Sequence, residues 1–203
     1  MLQRDPKSRP DAIKALRHKW ITQFVAVKDS DMPTIDVNSL SEFARMSKIK
    51  QVGLMLISKQ LSNENLEKLK KAFLAMDKDR NGSLTVAEIK DAFKKTNTPI
   101  PNELDDLVKS IDVDGTGEIQ YLEFLAATID RKEYSKEDTL WEAFMAFDKN
   151  GDGVISPSEL RTVLANMKLE FSDEEVDRYM KEIDSSGNNE IEFDEFCTLM
   201  RST

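Results

Sequence analysis

The sequence predicts an all-α fold: four helix–loop–helix units paired into two lobes and preceded by an amphipathic helix. Three observations predict it. A twelve-residue acidic segment recurs four times, starting at Asp77, Asp112, Asp148 and Asp184, with spacings of 35, 36 and 36 residues. Apolar residues at helical spacing run into each copy. A stretch ahead of the first copy, rich in lysine and arginine, carries an apolar stripe of its own.

Composition suits that fold. Of 203 residues, 39% are hydrophobic and 33% charged, enough for small cores beneath wide solvated helix faces. The longest apolar run, VGLMLI from Val52, has six residues against the ~20 that a membrane-spanning helix needs. No charged stretch followed by an apolar one marks a secretory signal. A single cysteine, Cys197, leaves no internal disulfide and fits a reducing compartment, so the expected location is cytoplasmic. The net charge of -9 is unevenly divided: residues 1–65 hold 11 Lys and Arg against 7 acids, and the remainder 18 against 31. So acidic a surface repels phosphates and excludes nucleic acid as a partner; divalent cations and basic peptides suit it.

Each acidic segment has a physical logic. Calcium takes six to eight oxygens at ~2.3–2.6 Å, and a twelve-residue loop can supply them from positions 1, 3, 5, 7, 9 and 12. The first segment, DKDRNGSLTVAE, offers Asp77, Asp79, Asn81, Ser83 and Glu88 at positions 1, 3, 5, 7 and 12. The second, DVDGTGEIQYLE, offers Asp112, Asp114, Thr116, Glu118 and Glu123. The third, DKNGDGVISPSE, offers Asp148, Asn150, Asp152, Val154 and Glu159. The fourth, DSSGNNEIEFDE, offers Asp184, Ser186, Asn188, Glu190 and Glu195. Glycine stands at the sharp turn of position 6 as Gly82, Gly117 and Gly153. Position 8 is apolar throughout (Leu84, Ile119, Ile155, Ile191), as where two loops pair through a short strand. On these residues the sequence resembles the EF-hand family, which implies three to four bound calcium ions. The fourth loop is the poorest. It has Ser186 and Asn188 where carboxylates would serve, and Asn189 at position 6, a residue that tolerates the left-handed region. Glu192, at position 9, could act there through water.

The flanking helices follow. Leu66, Leu69, Phe73 and Met76 lead into the first loop, and Leu104, Leu107, Val108 and Ile111 into the second. Leu140, Phe144 and Phe147 lead into the third, and Val176, Tyr179, Met180 and Ile183 into the fourth. SKED at Ser135 and SDEE at Ser172 have capping-box spacing and place two helix starts. TNTPIPN, 96–102, breaks the first pair of units, and DRKEYSKED, 130–138, separates the lobes.

Ahead of the hands, Phe43, Met46, Ile49, Val52 and Leu56 form a stripe, with Arg45, Lys48, Lys50 and Lys59 beside it. A basic amphipathic helix is either the target of a calcium-opened groove or an ordinary scaffold helix. The order of parts favours the target. RDPKSRPDAIKALRHKWI, Arg4 to Ile21, resembles the end of a protein-kinase catalytic domain, where a DP…RP turn leads into a helix closing on ALxHxWI. Arg9 then matches the arginine that pairs with an upstream acid, and Lys19 departs from a frequent proline. A kinase tail, a basic helix and four hands is the layout of calcium-dependent protein kinases of plants and protists, which the whole chain resembles.

That resemblance implies four parts: residues 1–25, the remnant of a kinase domain; 26–61, a linker and autoinhibitory junction helix; 62–132, an N-terminal lobe; 133–203, a C-terminal lobe. Met1 would not be the native start, and membrane attachment through an upstream N-terminus stays open. It also implies a calmodulin-like activation mechanism. Calcium-loaded lobes capture the 39–61 helix, with the stripe in apolar grooves and Arg45, Lys48 and Lys50 against acidic rims, and so relieve inhibition of a serine/threonine kinase. The partners are the chain's own junction helix and the parent kinase domain; in isolation the helix could instead insert into a neighbour and give a domain-swapped homodimer. No glycine-rich phosphate loop, HRD or DFG occurs, so no catalytic residue is expected, and ATP and magnesium belong to the absent kinase domain. A free-standing calmodulin-like sensor or buffer is the alternative; it leaves the opening segment and the basic helix unexplained.

Four further features have ordinary readings. His18, the only histidine, has no catalytic partner in sight, and Cys197 reads as a buried thiol. Trp141 reads as packing. Met76, Met145, Met180 and Met200 fit either a target groove or plain core.

Overall fold

An extended pair of residues within Asp36–Leu61 divides the expected 39–61 helix in two. The structure, a computed structural model, describes residues 36–61, 64–169 and 171–202. Residues 1–25, with Arg9, His18 and Lys19, lie outside the described residues. Helix α1 spans Val37–Arg45 and α2 spans Lys48–Gln60, with Met46 and Ser47 extended between them. Asp36 caps α1 by accepting from the Asn38 amide at 2.9 Å. At the break the Phe43 carbonyl, which already accepts from the Met46 amide at 3.1 Å, takes a further bond from the Gln51 side-chain nitrogen at 2.8 Å. A second bond from the same nitrogen, to the Ser110 carbonyl at 3.1 Å, ties the break to a distant helix.

The hands follow in order. In the first lobe α3 (Glu64–Met76), β1 (Ser83–Leu84) and α4 (Val86–Lys95) form one hand, and α5 (Leu104–Ile111), β2 (Ile119–Gln120) and α6 (Tyr121–Thr128) the next. A single turn, α7 (Arg131–Tyr134), links the lobes. The second lobe has α8 (Glu137–Phe147), β3 (Val154–Ile155) and α9 (Pro157–Asn166), then α10 (Asp173–Ile183), β4 (Ile191–Glu192) and α11 (Phe193–Arg201). Within each lobe the loops pair antiparallel, Leu84 opposite Ile119 and Ile155 opposite Ile191, all four buried.

Capping boxes set five of the eleven helix starts among the described residues, though not always where the spacing suggests. Ser172 and Glu175 form the expected box. Ser135 does not: its hydroxyl donates to the Arg131 carbonyl at 2.6 Å and closes α7, while α8 starts one residue later on Lys136. A hydroxyl within reach of a nearer carbonyl serves that carbonyl first.

The break redirects the apolar stripe. Phe43 and Leu40 bury on α1, which packs against α5 and α6. Helix α2 lies between the lobes, against α6 on one side and α8 and α11 on the other. Every residue from Ile49 to Ser58 is therefore buried, Lys50, Gln51 and Ser58 included. Val52, Leu54 and Ile57 are sealed, each contributing ~1.5–3 kcal/mol by burial. Gly53 permits the closest approach: a β-carbon there would stand 2.8 Å from the Met200 sulfur on α11. One hydrophobic core thus runs through α2 from lobe to lobe.

Among the described residues, no basic side chain of the junction forms an ion pair with a carboxylate of the lobes. Lys48 and Lys50 reach helix ends instead, where carbonyls lack intrahelical donors and the dipole favours a cation. Lys50 Nζ donates to the Ser202 carbonyl at 2.5 Å, beyond the last turn of α11; beside it Arg131, from α7 rather than the junction, donates to the Arg201 carbonyl at 2.5 Å. Burial and the nearby Arg131 charge lower the Lys50 pKa. Arg45 is exposed, with no ion pair among the described residues.

Candidate metal sites

Each loop is folded by its own carboxylates. The aspartate at position 1 accepts from the backbone amide of position 6, from Gly82 to Asp77 at 3.0 Å, Gly117 to Asp112 at 2.7 Å, Gly153 to Asp148 at 2.9 Å and Asn189 to Asp184 at 2.7 Å. To point those amides inward the chain turns left-handed twice per loop. Position 6 has φ of 89°, 86° and 92° at the three glycines and 64° at Asn189. Position 4 is left-handed as well, at Arg80, Gly115, Gly151 and Gly187.

The glutamate at position 12 is held from two sides. One oxygen accepts from the amide at position 2: Lys78 to Glu88 at 2.8 Å, Val113 to Glu123 at 2.7 Å, Lys149 to Glu159 at 2.9 Å, Ser185 to Glu195 at 2.9 Å. The other accepts from the amide of position 9 as part of a capping box on the outgoing helix, at Thr85, Gln120, Ser156 and Glu192. Loop and exit helix are thus tied to the same carboxyl. Sequence reading missed these four boxes, although a capping residue three before each glutamate was the signal.

In three loops the carboxylates converge. Asp77, Asp79 and Glu88 each present an oxygen within 4.8 Å of the others, as do Asp112, Asp114 and Glu123, and Asp148, Asp152 and Glu159. Three acidic oxygens so close fit a hard divalent cation. The neutral candidates border them. Asn81 accepts from the Ser83 amide at 2.8 Å, and the Ser83 hydroxyl donates to Glu118, joining position 7 of one loop to position 7 of its pair. Thr116 donates from its hydroxyl to the Glu118 carbonyl at 3.2 Å. Asn150 donates to Asp152 at 2.8 Å, and the Val154 amide to Asp152 at 3.1 Å.

The fourth loop brings together Asp184, Ser186, Asn188, Glu190 and Glu195 on the same backbone, but only Asp184 and Glu195 supply carboxylates at positions 1, 3, 5 and 12. Ser186 donates to Asp184 at 3.1 Å, Asn188 accepts from the Glu190 amide at 2.9 Å, and Asn188 also donates to Glu192 at 3.3 Å.

Electrostatics separate the glutamates. Burial opposes ionisation of Glu88, Glu159 and Glu195, yet the amide and hydroxyl donors around them outweigh it and hold each below its ordinary pKa. Glu123 is fully buried, and there desolvation wins, with Asp114 adding repulsion: its pKa is pushed up to about 7. Cys197 is buried, and burial pushes its thiol up. Trp141 is more exposed than a packing residue should be, at 47%, though its ring meets Phe144 and Phe193.

Two helix–loop–helix units per lobe, their loops paired through position 8 and three of them gathering carboxylates, define a class. The EF-hand domain pair family matches residues 66–129 and 137–201, and the chain belongs to the EF-hand family. Along its whole length it is 31% identical to calcium-dependent protein kinase 33 of Arabidopsis thaliana, covering 39% of that relative. It is 35% identical to calcium-dependent protein kinase 9 of Oryza sativa subsp. japonica, with 100% of this chain and 35% of the relative covered. With calcium-dependent protein kinase 5 of Plasmodium falciparum the identity is 34%, over 96% of this chain and 35% of the relative. The chain spans little more than a third of the length of these curated relatives. It is an EF-hand region homologous to the C-terminal regulatory region of calcium-dependent protein kinases. No described helix is long and apolar enough to cross a membrane.

Proposed function

We propose that this chain is the calcium-sensing region of a calcium-dependent serine/threonine kinase, and that its lobes hold the junction to control a catalytic domain elsewhere in the parent protein. The observation that carries this is α2, buried along ten consecutive residues between α6 and the α8–α11 pair in a chain with three carboxylate triads. A basic segment so enclosed is a captured ligand of the lobes, tethered at high effective concentration.

In this reading the domains run 1–25, 26–61, 62–132 and 133–203. Loops one to three hold one calcium ion each through the residues assigned above; the fourth takes a weaker fourth ion through Asp184, Ser186, Asn188, the Glu190 carbonyl and Glu195. Bound calcium supplies the positive charge that offsets carboxylate repulsion. Phe43, Ile49, Val52 and Leu56 fill the apolar surfaces of the lobes. ATP and magnesium belong to the catalytic domain, the isolated region is prone to a domain-swapped homodimer, and the protein acts in the cytoplasm.

Replacing Phe43, Met46 and Ile49 by Asp in the parent kinase tests the reading. Calcium binding by calorimetry should persist at three or more ions, while calcium activation is lost. Activation that survives unaltered would reduce the junction to a scaffold.

A further inference from the structure

The second loop differs from the other three in having a lysine of the junction fixed against it. Lys48 Nζ donates to the Asp112 carbonyl at 3.1 Å, at position 1 of that loop. Among the described residues, the carbonyls of Asp77, Asp148 and Asp184 accept no side-chain bond. Lys48 sits on an anchored stretch of backbone. It is the first residue of α2, whose next turn is anchored by Gln51 to Phe43 and Ser110, and whose remainder is enclosed between the lobes.

We infer that Lys48 selectively lowers the calcium affinity of the second loop, making the junction a tuner of one metal site. This rests on the reading that the loop binds calcium. Without the ion, Asp112, Asp114 and Glu123 leave an acidic cluster in the loop whose first carbonyl Lys48 holds, and the ammonium is a favourable counter-charge. A divalent cation among them cancels most of that attraction and repels the ammonium directly. The lysine therefore favours the unloaded loop. By reciprocity the unloaded loop holds Lys48 more firmly than the loaded one, so filling it loosens the contact. A single charge held at the edge of a divalent-ion loop, in a mostly aqueous setting, changes affinity by about three- to tenfold.

The position-6 amides report each loop separately, because each donates to its own first aspartate. In a calcium titration of the full chain followed by amide NMR, Lys48→Met should lower the Gly117 midpoint about three- to tenfold. The Gly153 midpoint, in the other lobe, should stay within about twofold, since the charge is screened over that separation. Lys48→Arg should restore the parent value, and the difference should shrink in about 1 M salt, where the screening length is ~3 Å. A Gly117 midpoint that is unchanged or rises overturns the inference, as does an equal shift at Gly153, which would mean general loosening of α2. If Gly117 of the unaltered chain ignores calcium, the underlying reading fails first.

Discussion

The second and fourth loops share a backbone and differ in charge. In both, the first aspartate takes the position-6 amide at 2.7 Å. Both pair their position-8 isoleucine across a two-stranded sheet, and both box the exit helix with the final glutamate. Yet loop two assembles three carboxylates, one of them the fully buried Glu123, whereas loop four has Ser186 and Asn188 at positions 3 and 5 and a partly buried Asp184. Loop shape and ligand strength are therefore separable. The shape needs one aspartate, one glutamate and two left-handed residues; the metal affinity needs the additional acids.

The strongest way to break this comparison is to remove the shared glutamate's charge in loop two. Glu123→Gln leaves one carbonyl oxygen to accept an amide but removes a bidentate ligand, so calcium affinity at that loop should fall on the order of a hundredfold. The Leu84–Ile119 pairing should remain visible in cross-strand proton contacts. Loss of that pairing together with the affinity would mean that shape and charge are not separable.

Asn188→Asp works in the opposite direction. It raises the fourth loop's side-chain carboxylates at positions 1, 3, 5 and 12 from two to three, the number the other loops have. Affinity should rise by about tenfold, since ligand charge count is a principal control in such loops. The Asn189 amide, bonded to Asp184, reports the titration. An unchanged midpoint would place the weakness of loop four in its backbone after all.

Where residues speak for themselves chemically, the fold was legible. The ligand spacing marked four loops, and the periodic apolar residues found α3, α5, α8 and α10. The left-handed position 4 went unread although glycine occupies it in three loops, because Arg80 hides the pattern in the first. The break at Met46–Ser47 was not legible. Its stripe continues in register across it, and the bond that secures it comes from Gln51 to Ser110, 59 residues away. Likewise, the lysines read as partners for acidic rims because local sequence names their charge, while the carbonyls they cap are brought up only by the packing of α2.

The smallest expected effect concerns position 6 itself. Asn189 sits at φ 64°, a region that asparagine tolerates and glycine enters without cost. Asn189→Gly relieves that modest strain but also frees the unfolded chain, at a cost of ~0.4–1 kcal/mol. The two nearly cancel, so melting should move by no more than about 2 °C in a chain of this size. The amide that bonds Asp184 is retained, so calcium affinity should change less than about twofold. Asn189→Val is the contrast. A β-branched side chain in the left-handed region costs ~1–2 kcal/mol, enough to lower melting by about 2–8 °C. If valine melts where asparagine does, the turn has abandoned its left-handed form, and the shared backbone of loops two and four is not what holds Asp184 in place.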